Sequence, residues 1–129
     1  MSDFNFSGQF KSEDYEVKLN ISVLSFKEDG VNILYAPALD VYGTGNNLDE
    51  AKQSFEISIS EFFKYTLNKN TLKTELKRLG WKIRGSNKNL KIAQPNLADM
   101  LNRNVELKDI MENKSYKHFN KSITIPAFA

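Results

Sequence analysis

The feature that most constrains the fold is a change of hydrophobic period between residues 17 and 67. From Val17 to Val23 every second residue is apolar, which is the pattern of a strand with one face in the core. From Leu48 onward the apolar residues recur at spacings of three and four, which is the pattern of an amphipathic helix. The chain therefore has to place a helix against one face of a sheet, which predicts an α+β fold.

The strand region predicts an antiparallel sheet. Its alternation slips at Val23-Leu24, which predicts a β-bulge. Asp29-Gly30 predicts a tight turn, because glycine adopts a positive φ without steric cost. Residues 31–35 alternate again, and Pro37 ends that strand because it has no N–H to donate. A short third strand should follow near 39–42.

The main helix should begin after a turn formed by residues 43–46. Asn47 is a good N-cap, and Glu50 completes a pattern that resembles a capping box. The apolar stripe of this helix should cover one face of the sheet, and it comprises Leu48, Ala51, Phe55, Ile59, Phe62 and Phe63, extended by Tyr65 and Leu67.

The rest of the chain predicts shorter elements. A second helix should begin after Thr71 and end at Gly80, the residue type favoured just past a helix. A hairpin should follow, with strands at 81–84 and 90–92, then helices near 97–101 and 107–111 and a closing strand at 121–125. The length of 129 residues favours a single domain, 1–129.

Composition excludes several classes of protein. The chain has no cysteine, which excludes disulfides, thiolate catalysis and cysteine-ligated zinc. Its first residues show neither the basic start nor the apolar run of a secretory signal. No apolar stretch approaches the roughly 18 residues that a membrane span needs. We therefore expect a cytoplasmic protein without a membrane partner.

Four segments resemble the HicB-like family, the antitoxins of HicA–HicB toxin–antitoxin systems. They are the hairpin 26–30, the segment 35–40, the segment 42–45 and the helix start 48–51. The resemblance spans roughly residues 17–67. It implies a β-β-β-α-β sheet of partial RNase-H-like type, with a HicB-like core at 15–84. Residues 85–129 depart from the DNA-binding domain that the family usually carries at its C-terminal end, and we expect them to form an extension packed on the core. It also implies oligomerisation and a partner, a HicA-like toxin whose RNase activity is blocked by binding.

Nothing in the sequence predicts catalysis. His118 is the only histidine, and a general base needs a partner and a pocket, whereas its neighbours Lys117 and Lys121 are cations, so we expect a surface residue. The predicted strands carry no carboxylate cluster of the kind that holds magnesium in RNase-H-type nucleases. Residues 43–45 lack the lysine of a phosphate loop. We predict a protein that is not an enzyme and has no catalytic, metal or cofactor site.

Charge is distributed unevenly along the chain. Residues 1–63 hold 4 Lys/Arg against 11 Asp/Glu, whereas residues 64–91 hold 9 against 1. The acidic candidates for binding a basic partner are Glu28, Asp29 and Asp40. The candidates for binding nucleic acid or an acidic partner are Lys73, Lys77, Arg78, Lys82, Arg84, Lys88 and Lys91. Alternatively, the two regions neutralise each other within one molecule or across a dimer.

Three functional hypotheses remain open. The first is a non-catalytic HicB-like protein that masks a small basic RNase toxin. The second is a nucleic-acid-binding regulatory protein that uses residues 64–91, where Trp81 either stacks on a base or, as we favour, anchors the core. The third is a homo-oligomeric module whose N-terminal arm, carrying Phe4, Phe6 and Phe10, docks on a neighbouring copy.

Overall fold

The computed structural model describes residues 8–9, 17–84 and 91–125. Their elements, in chain order, are β1 (Gly8–Gln9), β2 (Val17–Glu28), β3 (Val31–Ala36), β4 (Val41–Gly45), α1 (Leu48–Asn68), α2 (Leu72–Arg78), β5 (Lys82–Arg84), β6 (Lys91–Ala93), α3 (Leu97–Arg103), α4 (Val105–Asn113) and β7 (Tyr116–Ile125). The predicted residues Phe4, Phe6, Phe10 and Lys88 lie outside the described part of the chain.

The centre of the fold is a four-stranded antiparallel sheet in the order β4-β3-β2-β7. β2 pairs with β3 on one side and with β7 on the other. α1 packs on this sheet, with most of its contacts against β4 and β3. The predicted α+β fold, with an antiparallel sheet covered by one main helix and followed by shorter elements, is confirmed.

The fourth strand of this sheet comes from the end of the chain. β7 is longer than the predicted closing strand, and its register with β2 runs from Val17 opposite Ile125 to Phe26 opposite Tyr116. The strand that follows the helices, β5, pairs instead with β6 as the predicted hairpin, and β6 pairs with β1. The C-terminal extension therefore completes the main sheet in addition to packing on it.

The predicted β-bulge at Val23-Leu24 is wrong. The register of β2 with β7 is unbroken through both residues, opposite Phe119 and His118. Val23 and Leu24 are nevertheless both buried, with 0% and 3% of their surface exposed. Both are apolar because each face of β2 is covered at this point, so the change of phase marks a second covered face.

α1 covers the first face of the sheet. Ala51, Phe55, Ile59 and Phe63 are buried, as the stripe predicts, and Phe62 and Leu67 are partly buried. Two predicted members of the stripe differ: Tyr65 is 64% exposed and Leu48 is 43% exposed. Thr66 takes the place of Tyr65 in the core, because its hydroxyl donates to the Phe62 carbonyl within the helix and needs no water.

The segment 43–45, which was predicted to be a turn, is the second half of β4. Its glycines are needed for close approach of the helix and not for chain reversal. A Cβ at Gly43 would lie 2.5 Å from the Phe55 Cα, and one at Gly45 would lie 2.5 Å from the Ala51 backbone nitrogen. Real Cβ contacts are never this short, so glycine lets α1 lie directly on β4.

α3 and α4 cover half of the second face. Leu24, Phe26 and Tyr35 point to this side and share one buried core with Leu107 and Ile110 of α4. The other half of the face, nearer the start of β2, carries exposed polar residues. The main sheet therefore lies between two helical layers, and the second layer is incomplete.

The helix ends follow the predicted chemistry with one exception. The Asn47 side chain accepts from the Glu50 N–H at 2.9 Å. Gly80 has φ +101° and closes α2, where the Trp81 N–H donates to the Leu76 carbonyl at 2.9 Å in a Schellman arrangement. Thr71 occupies the N-cap position of α2, but its side chain makes no capping hydrogen bond.

Trp81 is part of the core, which confirms the interpretation favoured from the sequence. The side chain is 3% exposed, and its indole N–H donates to the Ala38 carbonyl at 2.7 Å. This bond ties α2 to the loop between β3 and β4. Among the described helices, none has the length and apolar character that a bilayer crossing requires.

We predict that Gly43→Ala destabilises the fold by about 1–3 kcal/mol, because the new methyl group has to push α1 away from β4. Thr44→Ala, at the exposed neighbouring position, is the control and should change stability far less. Urea unfolding followed by circular dichroism measures both. Equal stability of the two variants would contradict the close approach of helix and strand.

Candidate functional site

One cleft lies where the loop after β3, the end of α2 and the junction of α3 with α4 meet. Its volume is about 300 Å³. We call it the Asp40–Arg103 cleft, and its lining residues are Pro37, Asp40, Arg78, Leu79, Met100, Arg103, Asn104, Val105 and Glu106. The cleft unites Asp40 and Arg78, which the sequence assigned to opposite kinds of partner.

A network of side-chain hydrogen bonds forms one wall of this cleft. The Tyr35 hydroxyl donates to Asp40 Oδ1 at 2.8 Å and accepts from Asn104 Nδ2 at 2.7 Å. The Tyr42 hydroxyl donates to Glu106 Oε2 at 2.6 Å, and the two tyrosine rings stack with centroids 4.3 Å apart. The network links the sheet to the α3–α4 junction, so it holds the second helical layer in place.

Both tyrosines are held in the protonated form. Burial is the main cause that raises the pKa of Tyr35 above its ordinary value, and the hydrogen bond to Asp40 raises it further against the opposing effect of Asn104. Burial, followed by the hydrogen bond to Glu106, likewise raises the pKa of Tyr42. The hydroxyls therefore act as fixed donors, and the carboxylates of Asp40 and Glu106 are occupied as their acceptors.

The two arginines of the cleft are also engaged. Arg103 Nη2 donates to the Leu79 carbonyl at 3.0 Å. Arg78 Nε donates to Glu75 Oε1 at 2.8 Å, and this hydrogen bond raises the pKa of the guanidinium. Two cations and two carboxylates thus line one cleft, and among them Arg103 joins α3 to the end of α2 while Glu106 joins α4 to β4.

The structure does not bring the acidic candidates together. Glu28 and Asp29 lie at the turn between β2 and β3, whereas Asp40 follows the opposite end of β3. β3 has six residues, so the two ends are about 20 Å apart at roughly 3.4 Å per residue. Glu28 is 3.6 Å from Lys114 Nζ, and Asp40 is bound to Tyr35.

The basic candidates form two groups. Lys73 and Lys77 lie four residues apart on the exposed side of α2. Lys82 and Arg84 lie on the exposed face of β5, and Lys91 of β6 lies directly opposite Arg84. We call the group Lys82, Arg84 and Lys91 the cationic hairpin face. Its reverse side carries Ile83 and the fully buried Ile92.

The sequence left open that the acidic region 1–63 neutralises the basic segment 64–91. Within residues 17–84 and 91–125, no ion pair joins these two regions. Arg78 pairs with Glu75, and both belong to the segment 64–91. Lys114 and Lys121, which pair with Glu28 and Glu56, belong to the C-terminal region instead. The described cations of the cationic hairpin face make no ion pair to a described carboxylate.

The outer side of α1 carries a surface that the sequence interpretation missed. Ile57 is 62% exposed, Tyr65 is 64% exposed, and Glu61 lies between them at four-residue spacing. We call these three residues the outer α1 stripe. The signal in the sequence was Ile57, an apolar residue outside the stripe that packs on the sheet.

A second cavity, of about 370 Å³, lies on the uncovered half of the second sheet face. We call it the amide groove, and it is lined by Asn20, Ser22, Gln94, Pro95, Asn96, Leu97, Met100, His118 and Asn120. His118 lies on the sheet face that forms the floor of the groove, and its exposure confirms the predicted surface position. Sequence reasoning missed the groove because its residues come from β2, the segment before α3, and β7.

Comparisons with protein-family models, with curated proteins and with solved structures gave no significant match to this chain. Membership of the HicB-like family therefore stays a prediction based on the four short segments. In the described ranges, no three histidine or acidic side chains come together as a metal-binding group.

We predict that Tyr35→Phe lowers the free energy of unfolding by about 1–3 kcal/mol at pH 7, because it leaves Asp40 and Asn104 without their shared partner. Tyr65→Phe, at an exposed tyrosine, is the matched control and should have little effect. Thermal or urea unfolding measures both. Equal stabilities would show that the network does not hold the helical layer.

The same tyrosine predicts how stability depends on pH. Its folded pKa is raised, so an unfolded chain ionises near pH 10 while the folded chain keeps the proton. The contribution of Tyr35 to the free energy of unfolding is therefore complete below about pH 10 and is lost as the pH rises further. The free energy of unfolding, measured from pH 8 to 11, should fall more steeply with pH for the natural chain than for Tyr35→Phe. Parallel plots of this free energy against pH would contradict the raised pKa of Tyr35.

Proposed function

We propose that this chain is a non-catalytic, HicB-like binding protein that masks a small basic partner, such as a HicA-like RNase. The observation that carries the proposal is the outer α1 stripe. Ile57 and Tyr65 expose large apolar side chains on a helix whose other side is locked in the core. A rigid helix face with exposed apolar anchors is a surface that a partner can bury with little loss of conformational entropy.

The charge of α1 indicates which kind of partner fits. The helix carries four acidic residues, Asp49, Glu50, Glu56 and Glu61, against Lys52 and Lys64. β4 ends opposite Asn32, so α1 begins beside the turn that carries Glu28 and Asp29. Asp29 extends the acidic surface beyond the first turn of the helix, whereas Glu28 is paired with Lys114 and Glu56 with Lys121. Such a surface attracts a basic protein and orients it during encounter.

We predict that Ile57→Arg combined with Glu61→Lys weakens partner binding at least tenfold, because it removes an apolar anchor and reverses a charge. Val105→Arg with Glu112→Lys makes the same changes at exposed sites on α4 and is the matched control. The tagged chain is first isolated from its native cells with and without nuclease, and a stoichiometric basic protein that survives nuclease is then titrated against each variant.

The same partner should lose its RNase activity when the natural chain is added, and should keep it when the α1 variant is added at equal concentration. Recovery of the tagged chain alone would contradict the proposal. So would a partner that binds the α1 variant and the α4 control with equal affinity.

The cationic hairpin face favours a second function, the binding of single-stranded nucleic acid by a regulatory protein. Arg84 and Lys91 are direct cross-strand neighbours, and like charges in that position destabilise a strand pair. A phosphate backbone that lies across Lys82, Arg84 and Lys91 would remove this repulsion and release counterions. Arg78 is not part of this surface, because its guanidinium is bound to Glu75.

We predict that Lys82→Glu with Arg84→Glu reduces the affinity for a fluorescent single-stranded oligonucleotide at least tenfold. It should also reduce the slope of log affinity against log salt concentration by about 1.4, at roughly 0.7 per phosphate contact. Lys27→Glu with Lys52→Glu reverses two exposed lysines at the other end of the sheet and is the control. Unchanged anisotropy curves for the hairpin variant would remove this function.

A further inference from the structure

We propose that the amide groove is a subsite for one unpaired base of a single-stranded nucleic acid whose phosphates lie on the cationic hairpin face. The proposal rests on the second candidate function. It adds a site for base recognition to a surface that otherwise binds only phosphates. The hairpin and the groove would then divide the two tasks of nucleic-acid recognition, since phosphate contacts position a ligand and base contacts specify it.

The floor of the groove is a patch of uncharged hydrogen-bonding groups. Ser22 of β2 lies directly opposite Asn120 of β7, and Asn20 and His118 belong to the same sheet face. No lysine, arginine, aspartate or glutamate is among the residues that line the groove. A charged ligand would therefore lack a counter-charge here, whereas the polar edge of a neutral base finds both donors and acceptors.

The wall of the groove holds two further amides in fixed positions. Gln94 Nε2 donates to the Asn20 carbonyl at 2.7 Å. Asn96 Oδ1 accepts from the Asp99 N–H at 2.8 Å, which leaves the Asn96 NH₂ group as a donor. Asparagine and glutamine side chains recognise base edges through donor and acceptor atoms, and here the Asn96 NH₂ group and the Gln94 side-chain oxygen are the atoms left for a base.

The groove also has an apolar side. Leu97 is 45% exposed, and Pro95 and Met100 line the cavity beside it. A base has a flat apolar face as well as a polar edge, so it matches a site with one apolar wall and an amide-rich floor. His118 supplies an imidazole ring of the kind that stacks on unpaired bases in RNA-binding proteins.

The cationic hairpin face and the amide groove are close enough for one single-stranded nucleic acid to contact both. Gln94 directly follows Ala93, the last residue of β6, and Lys91 shares the exposed face of this strand with Ala93. At roughly 3.4 Å per residue, Lys91 and Gln94 are about 10 Å apart along the chain. The phosphates of a short segment can therefore lie on the hairpin while one of its bases enters the groove.

The test measures anisotropy of labelled 12-nucleotide homopolymers of each base, as RNA and as DNA, and of a duplex. The natural chain should prefer single strands and should favour one base. Asn20→Ala with Asn120→Ala should reduce the affinity for the homopolymer of that base about tenfold and make the affinities for the four bases more alike. The slope of log affinity against log salt concentration should stay unchanged. Asn20→Ala keeps the backbone carbonyl that binds Gln94.

The matched control is Ser122→Ala with Thr124→Ala, two exposed residues of β7 on the same sheet face but outside the groove. It should bind as the natural chain does. A measurement on the natural chain that needs no variant is the NMR titration of its side-chain amides. The signals of Asn20, Gln94 and Asn120 should shift on adding the preferred oligonucleotide.

The outcomes separate the subsite from the function on which it rests. If Lys82→Glu with Arg84→Glu abolishes binding while the groove variant and the amide signals are unaffected, the subsite is overturned and nucleic-acid binding stands. Equal affinity for the duplex and for single strands also overturns the subsite. If the natural chain binds no polymer at low salt, both are overturned.

Discussion

The whole structure depends on β2, which is paired on both sides and covered on both faces around Leu24 and Phe26. β3 is hydrogen-bonded to one edge of β2 and β7 to the other. Val17, Leu19, Ile21 and Val23 face α1, whereas Leu24 and Phe26 face the second helical layer. A strand in this position can lose no partner without exposing apolar surface, so the N-terminal and C-terminal parts of the chain form one cooperative core.

The second helical layer is held on the sheet by hydrogen bonds as well as by apolar contacts. Tyr35 is 0% exposed, and its hydroxyl is satisfied by Asp40 and Asn104. Burying a hydroxyl without such partners would cost free energy, so the bonds permit α4 to close over the sheet there. The layer ends before Asn20, and the uncovered half of the face forms the amide groove.

The proposed functional surfaces follow from this division between structure and solvent. Arg78 and Asp40 are engaged in the Asp40–Arg103 cleft, whereas the cationic hairpin face and the outer α1 stripe are exposed to solvent. The hairpin could be anticipated from Lys82, Arg84 and Lys91, because alternating residues of a strand share one face. The acidic candidates form no common site, because Glu28 and Asp40 lie near opposite ends of β3.

Local patterns in the sequence were enough to predict the strands that become β2 and β3, helix α1 with its Asn47 cap, and the end of α2 at Gly80. These depend on neighbours a few residues apart, whose preferences the sequence states directly. Tertiary structure alone decided that β7 pairs with β2, that Gly43 permits helix contact, and that Val23-Leu24 marks a second covered face and not a bulge. Each of these features depends on contacts between residues far apart in the chain. Such contacts form only when the core assembles, so no single segment of sequence predicts them.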